Sequence, residues 1–109
     1  MANSTLPYYG ISDTGWITLN STYPTSYRKK NGFVTVVMRL SGGATPADGT
    51  LLGTLPEEYR PGIQITSATH NLRGAFMVSD DGKVTISKNS VIQSVELNNY
   101  MGVTVTYPV

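Results

Sequence analysis

Phe33-Val34-Thr35-Val36-Val37-Met38-Arg39-Leu40 is the stretch that decides the fold. In an extended strand successive side chains point to opposite faces. Val34, Val36, Met38 and Leu40 therefore share one wholly apolar face, and Phe33, Thr35, Val37 and Arg39 share the other. The first face defines a core side. The second still carries Phe33 and Val37, which points to partial cover there as well, as a neighbouring subunit would give.

A second alternation closes the chain. Met101, Val103, Val105 and Tyr107 fall on one face, and Tyr100, Gly102, Thr104 and Thr106 on the other. Shorter strands are expected between the two. Ile63 and Ile65 alternate with Gln64 and Thr66. Phe76 and Val78 lead into Ser79-Asp80-Asp81-Gly82, after which Val84 and Ile86 alternate with Lys83, Thr85 and Ser87. Asp-Gly between two such runs is a hairpin signal, because glycine takes a positive φ without steric cost. Residues 91–97 read as another strand, with Asn98-Asn99 as the turn into the last one, and residues 16–19 read as a short first strand. Residues 41–49 form a polar loop. Pro56 and Pro61 bracket a segment that cannot be an interior strand but could hold a single helical turn. No window of ten residues supports a longer helix. The expectation is an all-β domain, a compact antiparallel barrel or sandwich of about seven to eight short strands.

Composition narrows the function. The chain has 109 residues, 39% hydrophobic and 14% charged, enough for one modest core without disulfides. Eight Lys and Arg against seven Asp and Glu leave a net charge of +1. That is no footprint for nucleic acid. The cluster Arg28-Lys29-Lys30 reads as a solvated turn. There is no cysteine and a single histidine, His70, so thiolate sites are excluded and a histidine-based metal cage is unsupported. Asp80-Asp81-Gly82 lacks the ligand spacing of a calcium loop. No Gly-rich phosphate loop and no G-x-S-x-G elbow occur. No apolar run is long enough for a membrane span, and the first residues lack the pattern of a signal peptide. No cofactor is expected, and the chain reads as a binding or assembly domain, not an enzyme. Seven Tyr and one Trp among many Ser, Thr and Asn residues suit hydrogen-bonded recognition, including of sugars.

The order of the short motifs carries a resemblance. Gly15-Trp16-Ile17-Thr18-Leu19 is followed by Tyr27-Arg28-Lys29 and Asn31-Gly32-Phe33-Val34, then by Leu51-Leu52-Gly53-Thr54-Leu55-Pro56 and Tyr59-Arg60-Pro61. From Gly15 onward this resembles the C-terminal head domains of receptor-binding and tail-appendage proteins from tailed phages, especially siphophages of Gram-positive bacteria. The resemblance implies a homotrimer at a tail tip, baseplate or appendage of a virion, made in the host cytoplasm and joined to upstream tail proteins. It implies binding of bacterial cell-wall saccharide, with no nucleic acid and no membrane insertion. A purely structural tail, baseplate or collar domain carries the same motifs and is the alternative; a wall-degrading enzyme is the third reading. Residues 1–14 then read as a tether and residues 15–109 as the head.

The motif residues Trp16, Tyr27, Arg28, Leu55, Pro56, Tyr59 and Pro61 read as framework. Trp16 is expected to pack against the sheet, Tyr59 to plug one end, and Pro61 to favour an extended re-entry at Arg60. Loops carry recognition more often than framework does. The first candidate site is His70, Asn71 and Arg73 with the turn Asp80-Asp81, since His can donate and accept and Arg can fork onto hydroxyls or phosphate. Asn98, Asn99 and Tyr100 form a second candidate.

Overall fold

A computed structural model describes residues 12–89 and 95–109. It holds eight strands: β1 (Ile17–Asn20), β2 (Thr25–Lys30), β3 (Phe33–Arg39), β4 (Thr50–Thr54), β5 (Ile65–Ala68), β6 (Gly74–Val78), β7 (Lys83–Lys88) and β8 (Gly102–Pro108). A single 3-10 turn, Glu57–Tyr59, lies between β4 and β5, and no α-helix occurs among the described residues. The strands form two four-stranded antiparallel sheets, ordered β1-β2-β3-β8 and β4-β7-β6-β5. The sheets face each other as an open sandwich; the barrel does not close.

The alternation read from the sequence sets the inner faces. Val34, Val36 and Met38 of β3 are fully buried, as are Phe76 and Val78 of β6 and Val84 and Ile86 of β7. Val103, Val105 and Tyr107 of β8 join them, while Thr104 and Thr106 point outward. Burying each large apolar side chain is worth roughly 1.5–3 kcal/mol, so this two-sided layer is the main source of stability. β3 and β8 pair without interruption from Phe33↔Pro108 to Arg39↔Gly102.

Turn chemistry fixes the connections. β6 and β7 join through the expected hairpin, with Gly82 at φ 90°. A Cβ there would meet the Leu55 carbonyl oxygen and Arg60 Nε, both at 2.7 Å. β2 and β3 join at Asn31-Gly32, where φ is 53° and 82°, the two positive values of a type I′ turn. This corrects the reading of Arg28-Lys29-Lys30 as a turn. These residues are the end of β2, paired with Thr35, Val34 and Phe33, and the turn follows them. The expected first strand gains a longer edge too. Beyond Gly15 (φ 70°), Asp13 bridges Lys30, Thr14 N donates to the Lys29 carbonyl at 3.0 Å, and Asn31 N donates to the Ser12 carbonyl at 2.9 Å. Residues 12–14 thus hydrogen-bond along the edge of β2 through one isolated bridge; residues 1–11 lie outside the described region.

Other expectations shift at their margins. Ile63 stands outside β5 and is exposed. Of the strand expected over 91–97, residues 91–94 lie outside the described residues, and 95–97 are not strand. Trp16 does lie against the sheet, but on its outer face, 53% exposed, with the Arg28 guanidinium carbon 5.6 Å from the ring centroid. Tyr59 is half-buried and meets Tyr27 edge-on at 4.9 Å. Arg60 is extended, as its position before Pro61 requires.

Two polar contacts tie the ends together. The Tyr107 hydroxyl donates to the Tyr59 carbonyl at 2.6 Å, and burial pushes the phenol pKa up. Tyr107→Phe removes that donor and leaves a half-buried carbonyl without it, so urea unfolding should show a loss of about 1–2 kcal/mol with an unchanged m-value. Asp13 accepts two hydrogen bonds from Arg28. Together with the Gly15 amide, Arg28 holds the Asp13 carboxyl at about 2, below its ordinary 3.8. A lowered carboxyl pKa contributes stability above the unfolded value and loses it as pH falls through the folded value. Asp13→Asn should therefore lower Tm at pH 6, and the two melting curves should converge as pH drops from about 4 to about 2.

Candidate functional site

The sandwich brings three distant segments to one corner. The end of β3 runs into residues 40–43, the β5–β6 hairpin carries residues 69–73, and the entry to β8 carries residues 98–102. They meet because β8 lies at the edge of its sheet beside β5, the edge of the other.

The hairpin is locked from within. Thr69 N donates to the Gly74 carbonyl at 3.0 Å and Leu72 N to the Thr69 carbonyl at 2.8 Å, which holds Leu72 at φ 63°. Buried Thr69 also accepts from Gly74 N through its Oγ1 at 3.0 Å. A Cβ on Gly74 would lie 2.9 Å from Ile86 Cδ1, so the hairpin sits directly on the core.

His70 binds the edge of β8 twice. Its backbone N donates to the Gly102 carbonyl at 2.8 Å, and its Nδ1 accepts from Gly102 N at 2.8 Å. An imidazole nitrogen that accepts carries no proton, so this contact assigns the neutral ring's proton to Nε2. The fixed ring therefore offers a donor away from the strand. Asn71 ties the two loops. Its Oδ1 accepts from Thr69 Oγ1 at 2.8 Å and Arg73 N at 3.2 Å. Its Nδ2 donates to the Tyr100 carbonyl at 2.7 Å and to Asn98 Oδ1 at 3.4 Å. Asn98 Oδ1 in turn accepts from Tyr100 N at 3.0 Å. Asn99 holds the third segment: its Nδ2 donates to the Gly43 carbonyl at 3.0 Å, and its carbonyl accepts from Gly42 N at 2.8 Å. Tyr100 is left 60% exposed, its hydroxyl over Gly42, where an added Cβ would be 3.6 Å away.

These segments enclose an open groove of about 600 Å³ lined by His70, Tyr100, Arg39, Ser41, Ser67 and Thr104, with Val37 and Ala68 among its apolar wall. The two sequence candidates thus become one site, but their members divide. His70 and Tyr100 face the groove. Asn71, Asn98 and Asn99 brace it. Arg73 is turned to the segment before β8, donating from Nη1 to the Glu96 carbonyl at 3.1 Å. Asp80 and Asp81 do not belong to the site. They cap the other end of β6, about 20 Å away at ~3.4 Å per residue. There Asp81 accepts from the Ser79 hydroxyl, which with the Lys83 backbone lowers its pKa. Arg39, Ser41, Ser67 and Thr104 were not foreseen. Arg39 was visible on the mixed face of its strand, but nothing local tells that β5 and β8 converge beside it.

Among the described residues no group of three or more His, Asp or Glu side chains is placed to hold a metal ion. An aromatic face, fixed donors and acceptors and a cation in a shallow groove suit a hydroxyl-rich ligand. No protein-family model matches the chain, and comparison with curated proteins finds no significant similarity.

Because the Asn71 side chain donates across the two loops to Tyr100 and Asn98, Asn71→Asp should keep the contacts made through Oδ1 and lose those two. The expected cost is about 1–2 kcal/mol in chemical denaturation, with displaced amide resonances confined to residues 98–102 in heteronuclear NMR.

Proposed function

We propose that this chain is the adhesion domain of a phage tail, a binder without turnover that recognises a bacterial cell-surface saccharide through the His70–Tyr100 groove. The observation that carries this reading is the groove's construction. An exposed tyrosine ring and an imidazole of fixed tautomer stand on segments braced by three asparagines, with Arg39, Ser41, Ser67 and Thr104 around them. A pyranose presents an apolar face and a rim of hydroxyls, which matches that combination. The ordered motifs from Gly15 onward support a place on a virion tail tip, baseplate or appendage.

The reading includes a homotrimer, whose linked copies would raise avidity over one shallow site. The outer face of β3 is a poor candidate for the interface, since Arg28, Lys30 and Arg39 share that side of the sheet. The outer face of the other sheet suits it better. Leu51, Thr85, Met77 and Thr66 form one cross-strand row there, and Ser87, Ala75 and Ala68 the next. Neither row carries a charge, and interface centres are depleted in charged residues.

Adsorption of phage to host cells, and its block by the free domain, tests the reading. Tyr100→Ala should weaken binding to host cell-wall saccharide about tenfold or more, and His70→Ala should weaken it with altered selectivity, while circular dichroism stays unchanged. Wild-type adsorption by both variants would favour the structural-appendage reading instead. Release of reducing sugar from wall polymer would replace both with an enzyme.

A further inference from the structure

A second groove lies on the outer face of the β1-β2-β3-β8 sheet, toward its opposite end. It encloses about 440 Å³ and is lined by Trp16, Arg28, Lys30, Asn31, Phe33 and Thr35. Strand register explains the grouping. Arg28 pairs with Thr35, and Lys30 with Phe33; Ile17 pairs with Tyr27, which puts Trp16 beside Arg28. Trp16 and Phe33 therefore stand two strands apart, about 10 Å in the hydrogen-bonding direction, with the cations of β2 between them. Both rings are about half exposed, at 53% and 52%.

A single exposed aromatic needs no explanation. Two rings walling one groove with a cationic floor form a distinct arrangement. Asp13 compensates Arg28 and keeps its guanidinium over the indole. Lys30 also feels the Asp13 carboxylate, but among the described residues no carboxylate lies within ion-pair distance of it, so its ammonium is the less committed of the two cations. The walls ask for a flat or apolar ring face and Lys30 for an anion. At the rim Asn31 Oδ1 accepts from Ser12 N at 3.1 Å and the Thr35 hydroxyl is shared with Thr106 at 3.0 Å, which leaves Asn31 Nδ2 to donate to a ligand. We infer that the Trp16–Phe33 groove is a second binding site, and that its ligand is an acidic saccharide: a pyranose stacked on the aromatic walls with its carboxylate on Lys30. A single-stranded nucleic acid would also offer rings and anions, but two cations, one of them compensated, and a net charge of +1 give too little counterion release to hold a phosphate backbone.

The inference rests on the saccharide reading of the chain but is tested separately, because Trp16 is the sole tryptophan. Its fluorescence reports this groove and not the one at His70. Polygalacturonate at low ionic strength should shift the emission saturably, and dextran, its neutral counterpart, should not. Lys30→Glu and Phe33→Ala should each weaken the response about tenfold, with thermal unfolding checking that both remain folded. Lys30 is exposed, so its variant keeps the test open if Phe33→Ala unfolds. Tyr100→Ala should leave the response intact even if the His70 groove binds nothing. The inference is overturned by no saturable shift, by a shift that neither variant weakens, by one that Tyr100→Ala abolishes, or by tighter binding of poly(dT). A concentration-dependent dimer in sedimentation, lost in Phe33→Ala, would make this face a contact between copies and overturn it as well.

Discussion

The pairing of β3 with β8 is the constraint on which the rest depends. It joins residues 33–39 to residues 102–108, so most of the chain must close as a loop before the sheet exists. Loop closure of this length costs entropy before any contact rewards it. The return comes from the inner face, where Val34, Val36 and Met38 meet Val105, Val103 and the side chains of the opposite sheet. Once β8 is in place, its outer edge faces β5, and the corner that holds His70, Asn71 and Tyr100 follows without further design. A shift of register by one residue would turn Val103, Val105 and Tyr107 to solvent. It would also take Gly102 away from His70, so core and groove are set by the same alignment.

Much of this was legible in the sequence where two conditions held together: alternation over several residues, and a turn residue at its end. β3, β8 and the β6–β7 hairpin meet both. β2 was hidden because its outward positions are Ser26, Arg28 and Lys30, and a run of charge reads as a turn when the real turn, Asn31-Gly32, begins one residue later. β4 was hidden by a register shift between Leu51 and Gly53, which breaks the period of two. At Gly53 an added Cβ would come within 2.6 Å of Leu19, so the glycine there serves close approach of β1 to the other sheet, a tertiary fact with no local signature.

The candidate site shows a different limit. Residue type identified groups able to bind sugars, and several were gathered into one corner. Type could not tell which of them would be spent on the protein itself. Asn71 has four hydrogen-bonding positions and places contacts on both its oxygen and its nitrogen within the fold. Asp80 and Asp81 lie apart from His70 for a simpler reason: a hairpin's two ends are a strand's length apart, however close they are in sequence. The residues left over for a ligand are those whose polar atoms the architecture does not consume.

The double contact of His70 on Gly102 also bears on how the molecule survives at high concentration. An unpaired outer strand is a template on which another chain can crystallise into a ladder. In β8 alternate residues turn their backbone amides and carbonyls away from β3. At Gly102 both of these groups are already occupied by His70. At the far end Pro108 has no amide hydrogen to give. Only Thr104 and Thr106 remain between the two stops, too few for a stable added strand. One residue, its imidazole on the Gly102 amide and its own backbone amide on the Gly102 carbonyl, thus serves as an end-stop to strand addition at the edge of a groove.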